Sequence, residues 1–152
     1  MLLILTVPYL LFLLIHRGRP GLKFAPEHAA RLGVSLVFLF TASGHFFKTA
    51  EMAEMLPPFV PFRIEIIYIT GVFELLGAIG LWIPQLTRLT GILLILMLVG
   101  VLPSNIYAAF NRVPFGGHGA GPVYLLVRVP FQLFLIGWIY WSTVRKKSGA
   151  VR

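Results

Sequence analysis

The stretch LTGILLILMLVGVLPSNIYAAF, residues 89–110, runs for twenty-two residues without a charged side chain. At 1.5 Å per residue a helix of that length is about 33 Å long. The hydrocarbon core of a bilayer is about 30 Å thick. The stretch therefore predicts a transmembrane helix.

Four further apolar stretches flank this one, and together they predict five membrane spans. The five are residues 1–15, 30–48, 64–83, 89–110 and 123–144. The first would be only about 22 Å long as a helix. It has neither a positively charged start nor a small-residue cleavage site before His16, so we interpret it as a retained anchor rather than a signal peptide.

The composition of the whole chain excludes several classes of protein. Of its 152 residues, 58% are hydrophobic and 12% are charged, and the mean hydropathy is +0.88. Soluble domains are usually about one quarter charged, so soluble and disordered proteins are excluded. The absence of cysteine excludes disulfides, thiolate metal sites and thiol–disulfide chemistry carried by this chain.

The basic residues predict the orientation of the chain in its membrane. The net charge is +8, and we expect anionic lipid rather than nucleic acid as its counterpart. Nine of the basic residues fall on one predicted side: Arg17, Arg19, Lys23, Arg31, Arg88, Arg145, Lys146, Lys147 and Arg152. The positive-inside rule then predicts a multi-pass protein of the cell inner (plasma) membrane with the N-terminus outside and the C-terminus in the cytoplasm.

These observations predict an all-α fold, a polytopic membrane helix bundle with four core helices and an additional N-terminal transmembrane helix. The predicted organisation is a transmembrane anchor at 1–16, a basic cytoplasmic linker at 17–29, the four-helix bundle at 30–146 and a basic cytoplasmic tail at 147–152. The glycine-rich stretch 116–121 is interpreted as a flexible connection before the last span.

Six polar residues lie in the predicted spans, all in the half nearest the outer surface. They are His45, Thr70, Glu74, Asn105, Arg128 and Gln132. Polar groups at membrane depth are costly and are usually functional. Pro103 and Pro130 would free the backbone carbonyls of Val99 and Leu126 in the same region. A buried, partly hydrated pocket is the simplest arrangement that satisfies all these groups.

The residue types suggest a site for a small molecule. A desolvated Glu74 can hold or pass a proton near neutral pH, and His45 can exchange that proton with the outside, so these two are the candidate catalytic residues. Arg128 and Asn105 are candidates for binding the oxygens of a polar head group, together with Gln132 and Thr70. No metal ligand set is predicted.

A structural alternative stays open for the same residues. Glu74 and Arg128 would form a buried ion pair, and Asn105 and Gln132 would satisfy the remaining donors. His118, together with the glutamates at positions 51, 54 and 65, is interpreted as a solvated loop or interface group.

Five motifs in order resemble the DoxX family of small integral membrane proteins, over about residues 30–145. The motifs are FTASGHF at 40–46, MLPP at 55–58 with Pro61, TGVFE at 70–74 with Gly77, Leu81 and Pro84, LPSNIY at 102–107, and RVPFQ at 128–132. The resemblance implies a four-helix membrane bundle. It also implies a link to the small subunit of a thiosulfate:quinone oxidoreductase, with a quinone as possible cofactor near Glu74, His45, Asn105 and Arg128. The family's thiol-redox role does not transfer to a chain without cysteine.

Three hypotheses about function follow. The first is a membrane subunit, catalytic or accessory, that binds a quinone or similar lipophilic molecule and takes electrons from a membrane redox partner subunit or from its substrate. The second is a non-catalytic scaffold that assembles other membrane proteins. The third is a small transporter, which would need a homo-oligomer because the sequence contains no internal repeat.

Overall fold

The computed structural model describes residues 1–18 and 26–145, and in these ranges the regular elements are all helices and there is no strand. The α-helices are α1 (Leu2–Gly18), α2 (Pro26–Phe47), α3 (Thr49–Ala53), α4 (Arg63–Gly80), α5 (Thr87–Phe110) and α6 (Leu125–Ile139). A 3-10 helix at His118–Tyr124 precedes α6, and a π-helical turn at Tyr140–Val144 follows it. The predicted all-α bundle is confirmed.

The long helices coincide with the five predicted spans, with differences at their ends. α2 begins at Pro26, inside the stretch assigned to the linker. Proline is favoured in the first helical turn, and Glu27 beside it suits the positive end of the helix dipole. The sequence did not predict α3. Residues 19–25 of the predicted linker and the tail at 147–152 lie outside the described residues.

The chain is a membrane protein by the length and composition of its helices. Three helical segments are long and apolar enough to cross a membrane, namely Pro26–Phe47, Thr87–Phe110 and His118–Val144. The apolar part of α1, Leu2–His16, is shorter, and α4 has 18 residues of which Arg63, Glu65 and Glu74 are charged. Apolar side chains such as Leu3 and Leu126 are largely exposed on the outside of the bundle, where lipid would contact them.

The centre of the bundle is apolar and is shared by five helices. Its buried residues are Leu5, Val34, Val37, Phe38, Ala78, Leu81, Leu94, Leu98, Leu135 and Ile139. Leu5 of α1 is 0% exposed, so α1 is packed against the bundle rather than attached only by its connection. Ser35 adds a polar contact by donating a hydrogen bond to the carbonyl of Ala78, at 3.1 Å, which joins α2 to α4.

The direction of the helices decides where the polar residues meet. Consecutive core helices run in opposite directions, so the end of α2, the start of α4, the end of α5 and the start of α6 lie at the same end of the bundle. The predicted polar residues occupy those parts of the four helices. We call this end the polar end, and it contains the candidate site.

Candidate functional site

A cavity of about 250 Å³ lies at the polar end, between α2, α4, α5 and α6. Five of the six predicted residues line it: His45, Thr70, Glu74, Asn105 and Arg128. The other polar lining residues are Thr41 and Ser104, and the apolar part of the wall is formed by Met52, Met55, Leu56, Ile66, Ile67, Gly100 and Val101. The cavity thus has an apolar wall with a few convergent polar groups, as small-molecule sites usually have.

One wall of the cavity carries an acid and a base in proximity. Nε2 of His45 lies 3.6 Å from Oε2 of Glu74, and both residues are buried. Nδ1 of His45 lies 2.8 Å from the carbonyl oxygen of Ile67, which can only accept, so Nδ1 carries a proton. Nε2, the nitrogen that faces Glu74, is therefore the one without a proton in the neutral ring. The Glu74 Oε2 atom has no hydrogen-bond partner among the described residues.

Gly71 makes this contact between α2 and α4 possible. A Cβ atom at position 71 would lie 2.6 Å from Cβ of His45 and 3.2 Å from the ring of Phe46. Real Cβ atoms essentially never approach that closely, so any larger residue would separate the two helices. The glycine of the TGVFE motif thus sets the distance between His45 and Glu74.

The opposite wall holds an arginine that is fixed by an asparagine. Nε of Arg128 donates to Oδ1 of Asn105 at 3.2 Å, and Nδ2 of Asn105 donates to the carbonyl of Val101 at 3.0 Å. Both amide atoms of Asn105 are therefore engaged. Asn105 positions Arg128, while the structure gives the Nη groups of Arg128 no acceptor within the described part of the chain.

His118 is a residue of this network that sequence reasoning missed. Its side chain is buried, Nε2 lies 3.2 Å from Oδ1 of Asn105, and Nδ1 lies 2.8 Å from the carbonyl of Phe115. The interpretation of His118 as a solvated loop group is wrong. The loop folds inwards through left-handed backbone at Gly116 and Gly117, and a Cβ at Gly117 would lie 2.5 Å from the ring of Tyr124. A histidine next to two glycines, shortly before a span that contains Arg128, was the available signal.

The structure does not form the ion pair of the structural alternative. Glu74 has His45 as its titratable neighbour within 4 Å, and Arg128 bonds to Asn105 instead. Glu74 and Arg128 interact only through space, from different parts of the cavity wall. Because the Glu74 carboxyl group and the Arg128 guanidinium share the cavity without contact, Oε2 of Glu74 and the Nη groups of Arg128 can both bind a third molecule.

Gln132 and Thr70 have mainly structural contacts. Gln132 is buried outside the cavity wall and donates to the carbonyl of Leu98 at 2.6 Å. Thr70 lines the cavity but donates to the carbonyl of Ile66, at 2.5 Å, in its own helix. The carbonyls near Pro103 that accept side-chain amides are those of Leu98 and Val101, not that of Val99 as expected from the proline.

The short helix α3 and the turn after it cover the outer edge of the cavity with Met52, Met55 and Leu56. Lys48 and Glu51 form an exposed ion pair of 2.9 Å just beside this cover. The hydrogen bond from Lys48 lowers the pKa of Glu51, so this carboxylate is charged at neutral pH. Within residues 1–18 and 26–145 no group of three or more His, Asp or Glu side chains is placed to hold a metal ion.

Comparison with known proteins shows that the chain matches a family model to which no activity is assigned. A family model described as a domain of unknown function (DUF8561) matches residues 34–143. No curated protein and no solved structure matches the chain. The matched range contains every residue of the cavity wall. The chain therefore belongs to the DUF8561 family.

Proposed function

We propose that this protein is a membrane subunit that binds a quinone, or a similar lipophilic molecule with a polar head, in the cavity at the polar end. The observation that carries the proposal is the convergence of two different pairs on one cavity: His45 with Glu74, and Arg128 with Asn105. A cluster that served only helix packing would be expected to pair its opposite charges and leave no cavity.

The two pairs suit the two ends of a quinone ring. The Nη groups of Arg128, which have no acceptor among the described residues, are donors for a carbonyl or phenolate oxygen. His45 and Glu74 are an acid and a base that are able to supply or accept the proton that accompanies reduction or oxidation of the ring. Electrons must come from a partner subunit or from the substrate, because the chain contains no cysteine pair. The DoxX-like motifs support this proposal because they contain His45, Glu74, Asn105 and Arg128.

Arg128 also connects the cavity to the surface that faces lipid. It lines a second, open groove of about 410 Å³ between α1 and α6, with Val127, Phe131 and Phe134. Phe134 continues that groove into a third depression of about 320 Å³, lined by Tyr9, Gly137, Trp138 and Trp141. This surface, which we call the α1–α6 groove, offers an apolar path for the tail of a lipophilic ligand whose head contacts Arg128.

The proposal includes the membrane in which the protein lies and its orientation there. We place the polar end at the outer face of the cell inner membrane, since most basic residues of the sequence lie toward the other end. Partners under this proposal are the lipid bilayer and a redox subunit, with a homo-oligomer as a further arrangement. The scaffold and the transporter are the alternatives that the experiment below must distinguish.

Mass spectrometry of molecules that co-purify in mild detergent tests the proposal. Three proteins are compared: the natural sequence, Glu74→Gln, and Glu65→Gln, which removes an exposed carboxylate from the same helix outside the cavity. We expect a quinone-class molecule in the natural protein and in Glu65→Gln, and at least tenfold less of it in Glu74→Gln.

Two results would contradict the proposal. An absence of any such molecule from all three proteins, confirmed by no binding of added quinone, would favour the scaffold. Quinone that is retained equally by Glu74→Gln would place the binding site elsewhere. Solute uptake into vesicles that contain the purified protein, above that of empty vesicles, would favour the transporter.

A further inference from the structure

A separate cavity of about 330 Å³, distinct from the candidate site and from the α1–α6 groove, lies at the end of the bundle opposite the polar end. It is formed where α2 and α5 begin and where the π-helical turn ends. Its polar and aromatic lining residues are His28, Arg31, Trp82, Thr87, Arg88 and Thr143. No residue is shared with the candidate quinone site.

The two arginines of this cavity differ in how they are held. Nε of Arg31 donates to the carbonyl of Ser142 at 3.0 Å, which fixes the guanidinium against the π-helical turn. Glu27, one turn earlier in α2, interacts electrostatically with Arg31 but forms no ion pair with it within the described residues. Arg88 is exposed, and the structure gives it no ion pair in the same ranges.

The arginines, rather than the backbone, supply the positive charge of this cavity. α5 begins there at Thr87 with the positive end of its helix dipole, but α4 ends there at Gly80 and the π-helical turn at Val144 with negative ends. Trp82 is 45% exposed, and its Nε1 donates to Ser35 at 3.0 Å, which fixes an indole ring beside the arginines. An exposed, oriented tryptophan next to basic residues is typical of the membrane–water interface.

We propose that this cavity binds a phosphate-bearing anion, and that its source is the head group of an anionic phospholipid. Arg31, fixed by its hydrogen bond, and Arg88, which has no ion pair among the described residues, line a space large enough for a phosphodiester, and guanidinium groups recognise phosphate by charge-assisted hydrogen bonds. The lipid is favoured over free phosphate because apolar helix faces adjoin the cavity and would contact the acyl chains. This inference does not depend on the proposed quinone site.

The test measures binding to the purified full-length protein in detergent. The probes are phosphatidylglycerol, phosphatidylcholine and inorganic phosphate, and the readouts are native mass spectrometry and the shift of the unfolding temperature. Arg88→Gln removes one cavity charge without removing a contact that holds the fold. Arg63→Gln is the matched control, since it removes one positive charge at the other end of the bundle.

We expect phosphatidylglycerol, but not phosphatidylcholine, to bind and to raise the unfolding temperature. Arg88→Gln should weaken that binding about fivefold, the effect expected of one interfacial arginine, and Arg63→Gln should leave it unchanged. Binding of inorganic phosphate that also depends on Arg88 would support the phosphate site but assign it to the free ion. Equal effects of the two variants, or equal binding of the two lipids, would overturn the proposal.

Discussion

Nε2 of His118 lies 3.2 Å from Oδ1 of Asn105, although the two residues are thirteen positions apart and the last turn of α5 and a loop lie between them. The same oxygen accepts a hydrogen bond from Nε of Arg128, also at 3.2 Å. The loop before α6 therefore takes part in orienting the arginine of the cavity. His118 is a positioning residue, since Asn105 stands between it and the cavity.

His118→Ala should affect both folding and ligand affinity. The variant removes a buried donor and leaves the carbonyl of Phe115 without its side-chain partner. We therefore expect the free energy of unfolding to fall by about 1–3 kcal/mol. Quinone should bind several-fold more weakly because Asn105 loses the imidazole ring that lies 3.2 Å from its Oδ1 atom and helps to hold it in place. Thermal unfolding and a binding titration measure the two effects. The control is His16→Ala in α1; a similar loss of affinity there would contradict the assignment.

Gly71→Ala should disturb the pair of His45 and Glu74. The added methyl group would meet the side chain of His45, and forced overpacking of this kind costs about 1–3 kcal/mol. Gly137→Ala provides the comparison, because no heavy atom lies within 4 Å of its added Cβ. Unfolding in denaturing detergent should distinguish them. Equal stability of the two variants would mean that α2 and α4 do not depend on this close approach.

Leu5→Ala should loosen α1 from the bundle. Leu5 is 0% exposed and belongs to the central core, so its truncation leaves a cavity that costs about 2–5 kcal/mol. Leu3→Ala changes the same residue type at a position that is 73% exposed and should be close to neutral. Limited proteolysis of the connection between α1 and α2 reports on the docking. Proteolysis that is equally fast in both variants would contradict a structural role of Leu5.

Gly137→Leu should weaken the binding of quinones that have a long tail and leave the binding of tail-less quinones unchanged. Gly137 lines the α1–α6 groove and has open space where a Cβ atom would stand, so a leucine side chain would enter the groove. It lies nine residues from Arg128, about 13 Å along α6, which is within reach of a long isoprenoid tail only. We expect weaker binding of a long-tailed quinone and unchanged binding of a tail-less one. An equal effect on both would show that the tail does not follow this groove.

The sequence by itself determined the number and position of the long helices. An apolar stretch of about twenty residues can cross the hydrocarbon core as a helix that makes its own backbone hydrogen bonds. It also determined that His45, Thr70, Glu74, Asn105 and Arg128 would lie at one end, since consecutive spans alternate in direction. The matching family has no assigned activity, and no curated protein matches the chain. The DoxX-like resemblance, the bound quinone and the orientation in the membrane therefore stay predictions.

Only the tertiary structure decided which of these polar groups touch. The pairing of Glu74 with His45 rather than Arg128 depends on the rotation and lateral order of the helices, and these are set by contacts between remote segments such as Gly71 against His45. The inclusion of His118 depends on a loop whose path uses positive φ angles at Arg112, Gly116, Gly117 and Gly121. Neither property is encoded in the hydropathy of a single span, because each arises from side chains that meet only after the helices have packed.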